Sequence, residues 1–160
     1  MTKTIKMIDK AVNGLLTWIV VLMLAIMSVV VFAQVVFRIA HATIPWSEEL
    51  SKYMLIWSTF LGSALCVRRK SLVGLEILFA VMPKKAAKAG MLVVQVLSAA
   101  FLIFLVVVGY RTAGLVWRQT TPVLKMSMGL MYAAIPTGAL FMLINTIIVT
   151  YYEITGDEEK

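Results

Sequence analysis

Cysteine and histidine are almost missing from this chain, each occurring once among 160 residues. The lone Cys66 excludes an internal disulfide, a paired-thiol redox motif and a cysteine metal cluster. The lone His41 excludes a bis-histidine haem within one chain and offers a metal only one weak ligand. Charge is scarce too, at 14%, against about 25% in a soluble domain. No glycine-rich phosphate loop occurs, and no nucleophile–histidine–carboxylate set. Neither an enzyme nor a resident cofactor is expected.

Apolar residues fill the space that charge leaves, at 61% of the chain with a mean hydropathy of +0.94. They gather in four stretches, 15–37, 50–67, 89–108 and 130–151, none with an acidic side chain in its middle. About 20 residues at 1.5 Å each cross the hydrocarbon core, so each stretch is long enough to span as a helix. The expected fold is an all-α integral membrane protein with four transmembrane helices, one membrane domain occupying 1–160. Residues 72–82 are mostly apolar, contain Glu76 and run into Pro83. They are too short to span, which predicts a short interfacial helix between the second and third spans.

The net charge of +7 does not point to nucleic acid, because the basic residues sit at span ends and form no stripe that tracks phosphates. Ten fall on the side of the amino terminus and five on the other. The positive-inside rule then puts both termini in the cytoplasm of a multi-pass protein. The apolar run after the first lysines is 23 residues long, where a cleaved signal has about 7–15, so it reads as an anchor.

Several residues are candidates for holding the chain against lipid. Trp18 and Trp117 are interfacial aromatics, and Arg68, Arg69, Lys70, Lys84, Lys85 and Arg111 are basic anchors at span ends. Pro136 removes a backbone hydrogen bond and is expected to bend the fourth helix. Around the turn into the second helix, Arg38, Trp46, Glu48 and Glu49 converge. Pro45 biases Ile44 away from helix. Ser47 is expected to cap the second helix, with both glutamates in its first turn. Further on, Ser58, Gly62 and Cys66 recur every fourth residue beside Trp57, a face that admits a close helix from this chain or a partner. The third helix is expected to continue to the break at Thr120-Thr121-Pro122.

Taken together, Ile44-Pro45-Trp46-Ser47-Glu48-Glu49-Leu50, Trp57, Phe60-Leu61-Gly62-Ser63-Ala64 and Arg68 resemble the signature of the small membrane subunit of tripartite ATP-independent periplasmic (TRAP) transporters. Thr121-Pro122-Val123-Leu124 and Tyr132-Ala133-Ala134-Ile135-Pro136-Thr137-Gly138 extend the likeness through nearly the whole chain. Leu72 stands where that family often has histidine, while Glu76 matches its acidic position. The resemblance implies a bacterial inner-membrane scaffold, or stator, of tilted helices. It would hold a large sodium-coupled elevator subunit that takes up organic acids from a periplasmic binding protein. It also implies a subunit interface drawn from Arg38, Trp46, Glu48, Glu49, Trp57, Ser58 and Gly62. The rival readings are an autonomous four-helix transporter, which needs a membrane-embedded carboxylate, and an assembly factor of another membrane complex.

Overall fold

In the computed structural model, residues 2–69 and 83–155 are described, and all their regular structure is helical. The helices are α1 (Thr2–Ile39), α2 (Pro45–Arg68), α3 (Lys84–Leu115), α4 (Met128–Tyr132) and α5 (Ala134–Thr155). Four membrane-length segments follow, Asp9–Ile39, Pro45–Arg68, Gly90–Leu115 and Met128–Tyr151. The expected interfacial helix at 72–82 and the anchor Lys70 lie outside the described residues, as do the side chains of Lys84 and Lys85.

The helix ends depart from expectation in three places. α2 begins at Pro45, with Ile44 as its N-cap and no side-chain cap. Ser47 is therefore inside the helix, where its hydroxyl donates back to the Ile44 carbonyl at 2.7 Å. Proline at the first helical position needs no N–H partner and arrives with helical φ, which moves the start ahead of Ser47. α1 ends in a Schellman motif: Ala42 N–H reaches Phe37 O at 2.9 Å, His41 N–H reaches Arg38 O at 3.2 Å, and His41 sits at φ 57°. That left-handed position usually belongs to glycine. α3 stops at Leu115, short of Thr120, because the following loop closes on itself through an antiparallel bridge between Thr120 and Ser127.

Pro136 acts one turn ahead of itself. Its ring cannot coexist with an ideal carbonyl at the fourth preceding residue, Tyr132. The helical hydrogen-bond ladder is interrupted there, and Ala133, still at φ −63° and ψ −20°, separates α4 from α5. Pro136 itself is fully buried.

Among the described residues, α1 packs on α2, α2 on α5, and α5 on α3, while α1 and α3 do not meet. The four spans thus form an open layer in the order α1, α2, α5, α3, with α2 and α5 in the middle. Two glycines permit the close approaches. A Cβ on Gly138 of α5 would lie 2.5 Å from Phe60 Cβ and 3.0 Å from its carbonyl carbon on α2. One on Gly109 of α3 would lie 2.9 Å from Pro136 Cδ on α5. Between α1 and α2, Leu16, Val20 and Leu61 form the buried core, with Val12, Trp57, Leu65 and Phe141 packed around them. On the small face of α2, Val20 of this chain lies over Gly62 and Ser58 is buried, while Cys66 is exposed.

Candidate functional site

Two polar clusters bind this layer, one at each end. The first lies where α1 starts and α2 finishes. Arg68 grips Asp9 in a fork, Nε to Oδ2 at 2.9 Å and a second nitrogen to the same oxygen at 2.5 Å. Asp9 is buried, and the Arg68 side chain is only 14% exposed. Arg68 was expected to anchor in headgroups; it turns inward because an ionised carboxylate in this apolar layer needs a partner. Asn13, one turn after Asp9, donates to Asp9 Oδ1 at 2.8 Å and exchanges amide hydrogen bonds with Asn145 of α5 at 3.1 and 3.2 Å. Asn145 also donates to the Ala64 carbonyl of α2 at 2.8 Å. One network therefore ties α1, α2 and α5. Sequence reasoning missed Asp9, which precedes the apolar stretch at 15–37. The available signal was the stripe Asp9, Asn13, Leu16 and Val20, spaced as one helix face.

The second cluster lies at the opposite end, where one stripe of α2 reads the backbone of the loop before α4 and of α4 itself. Glu49 accepts from the N–H groups of Val123 at 3.1 Å and Leu124 at 2.8 Å, one on each carboxylate oxygen. Tyr53 donates to the Ser127 carbonyl at 3.1 Å and Trp57 Nε1 to the Leu130 carbonyl at 3.2 Å. These three side chains are spaced every fourth residue, so they stand above one another on α2. The loop reinforces itself: Ser127 Oγ donates to the Trp117 carbonyl at 2.6 Å and accepts from Gly129 N–H, capping α4. Lys125 completes the turn at φ 52°.

The candidate interface residues divide accordingly. Glu49, Trp57, Ser58 and Gly62 are engaged inside the chain; Ser58 is buried and donates to Leu55 O. Neither glutamate pairs with Arg38. Glu48 pairs instead with Lys52 one turn on, at 3.0 Å in an exposed position. Arg38, Trp46 and Glu48 remain open at the surface. Of the remaining anchors, Trp18, Arg69, Arg111 and Trp117 are exposed.

The motifs that carry the family likeness meet pairwise: Glu49 of Trp-Ser-Glu-Glu-Leu holds Val123 and Leu124 of Thr-Pro-Val-Leu, and Gly138 of the Pro-Thr-Gly stretch fits against Phe60. They define a particular packing of four spans; no group of three or more metal-ligating side chains occurs among the described residues. The fold and motifs together are those of a membrane-transporter subunit. Residues 27–156 match the family of tripartite ATP-independent periplasmic transporters, DctQ component, and the chain belongs to it. It is similar to the sialic acid TRAP transporter permease protein SiaT of Haemophilus influenzae (strain 86-028NP), with 29% identity over 140 residues. That match covers 86% of this chain but 23% of the relative. It is also similar to a protein of Haemophilus influenzae (strain Rd) named as a TRAP transporter small permease, 34% identical over 73 residues. There the match covers 45% of each chain. The chain therefore matches less than half the length of either relative.

Proposed function

We propose that this small TRAP subunit is a static scaffold, held in the bacterial inner membrane with both termini cytoplasmic. It braces a larger sodium-coupled elevator subunit during uptake of an organic acid, which a periplasmic binding protein delivers. The observation that carries this reading is how the polar groups are spent. Among the described residues, no buried side-chain nitrogen or oxygen lacks a hydrogen-bond partner. A carrier must present polar ligands that exchange between protein and cargo. In this chain they are committed within the protein, Asp9 and Asn145 to neighbouring helices and Ser47, Ser58 and Thr146 to carbonyls of the preceding turn. Asp9 is the buried carboxylate that an autonomous proton-coupled transporter would want. Its two oxygens are taken by Arg68 and Asn13.

The edge helices supply what a scaffold needs. α1 and α3 are long, apolar and largely uncovered within the chain, which leaves them for lipid and for the larger subunit. The test is reconstitution. The chain should copurify with a larger multi-spanning subunit, and uptake should require both together with the binding protein. Sodium-driven uptake by liposomes holding this chain alone would refute the scaffold role.

A further inference from the structure

Where α1 ends and α2 begins, a groove of about 280 Å³ opens between Gln34, Arg38, Thr43, Ile44, Pro45 and Glu48. It lies at the ends of two spans, which stop at Ile39 and start at Pro45, and so at the level of lipid headgroups. Exposed Trp46 stands at the same level, as an interfacial aromatic does. The groove is charged on two sides. Among the described residues, no carboxylate lies within ion-pair distance of Arg38. Glu48 commits Oε1 to Lys52 at 3.0 Å, and among the described residues its other oxygen accepts no hydrogen bond. A guanidinium and a carboxylate thus line one cavity without meeting.

We propose that this groove binds the phosphate-bearing headgroup of a zwitterionic phospholipid with a primary ammonium, phosphatidylethanolamine in chemical class. Arg38 takes the phosphate through paired N–H donors, geometry for which a guanidinium is suited. The Glu48 carboxylate takes the ammonium. The amide of Gln34 and the hydroxyl of Thr43 are further donors to phosphate and ester oxygens. An acyl chain continues along Val31, which shares the α1 face with Gln34 and Arg38 and is 41% exposed. Ile44 and Pro45 form the apolar wall beside the glycerol. The inference rests on membrane insertion alone and not on the scaffold role, so each can fail separately.

The experiment is native mass spectrometry of the full chain, with whatever subunit copurifies. The protein is delipidated in detergent and offered vesicles of phosphatidylethanolamine, phosphatidylcholine or phosphatidylglycerol. Wild type should retain the ethanolamine lipid about tenfold better than either other, the factor expected of one charge-assisted hydrogen bond. Arg38→Gln should lower retention of all three, and Arg38→Lys should restore it in part. Glu48→Gln should erase the preference for ethanolamine over glycerol. Arg38 and Glu48 are exposed, so both variants should unfold at the wild-type temperature. Equal retention of the three lipids, or retention unchanged in Arg38→Gln and Glu48→Gln, overturns the proposal. Displacement of the bound lipid by inorganic phosphate also overturns it and makes the ligand a soluble anion. Loss of the copurified subunit with no change in bound lipid assigns the groove to a protein contact instead.

Discussion

Glu48 and Glu49 are neighbours in sequence and one turn of reasoning would treat them alike, yet their surroundings differ in kind. Glu48 faces Lys52 across exposed surface, where an ion pair one helical turn apart contributes little. Glu49 faces two backbone N–H groups that both need an acceptor. Pro122 has no N–H, so Val123 and Leu124 are the first donors after it in the turn. Only a carboxylate answers both; glutamine would satisfy one and turn its own NH₂ toward the other. Glu49→Gln should therefore speed amide exchange at Val123 and Leu124 by about tenfold or more, the loss of one charge-assisted hydrogen bond. Glu48→Gln should leave both amides as protected as in wild type. Equal protection in the two variants would return Glu49 to the role of a helix-start charge. The amino-acid sequence marks the entry to α2 with a Pro-Trp-Ser-Glu-Glu turn, but because the helix starts at Pro45 only Glu48 falls in its first turn, and Glu49 comes just after it. Which of them has a long-range partner was not legible, since that partner lies 74 residues away and is backbone, which has no residue type.

Four membrane-length helices were readable because apolar length is the one property the bilayer selects directly, although the helical segments run past the apolar stretches, back to Asp9 in α1 and on to Leu115 in α3. Their neighbours were not. Small residues at Ser58, Gly62 and Cys66 mark a face that permits approach, but the distances divide the glycines sharply. At Gly62 an added methyl meets only Val20 Cγ1, at 4.0 Å, which is ordinary contact. At Gly138 it meets Phe60 Cβ at 2.5 Å and backbone at 3.0 Å, which cannot rotate away. Gly62→Ala should be tolerated, with unfolding in detergent within about 0.5 kcal/mol of wild type or slightly more stable from its helix propensity. Gly138→Ala should force α2 and α5 apart and cost about 1–3 kcal/mol. The reverse ranking by thermal or denaturant unfolding would mean that α2 and α5 do not cross at Phe60. The same limit explains Arg68: a basic residue at a span end reads as an anchor from sequence, and only the docking of α1 brings Asp9 beneath it.

At the scale of the whole molecule the two polar clusters label the two ends of the layer. Asp9 with Arg68, and Asn13 with Asn145, join the start of α1, the finish of α2 and the later part of α5 at one end. Glu49 joins the start of α2 to the 123–124 loop at the other, so the turn at Ala42 shares that end with Thr120. Four crossings return the chain to its first side. In the proposed topology that side is the cytoplasmic one, on the ten-to-five split of basic residues and the positive-inside rule. Single cysteines test the orientation directly, after Cys66, which is exposed, has been replaced by serine. An impermeant thiol reagent added to intact cells should label cysteine at positions 42 and 120 and spare position 85, which should react only after the membrane is opened. Labelling at 85 with protection at 42 and 120 would invert the protein in the membrane. Labelling of 42 without 120, or 120 without 42, would be more damaging, because Glu49 cannot then reach the loop it holds and the two-ended arrangement of the layer fails with it.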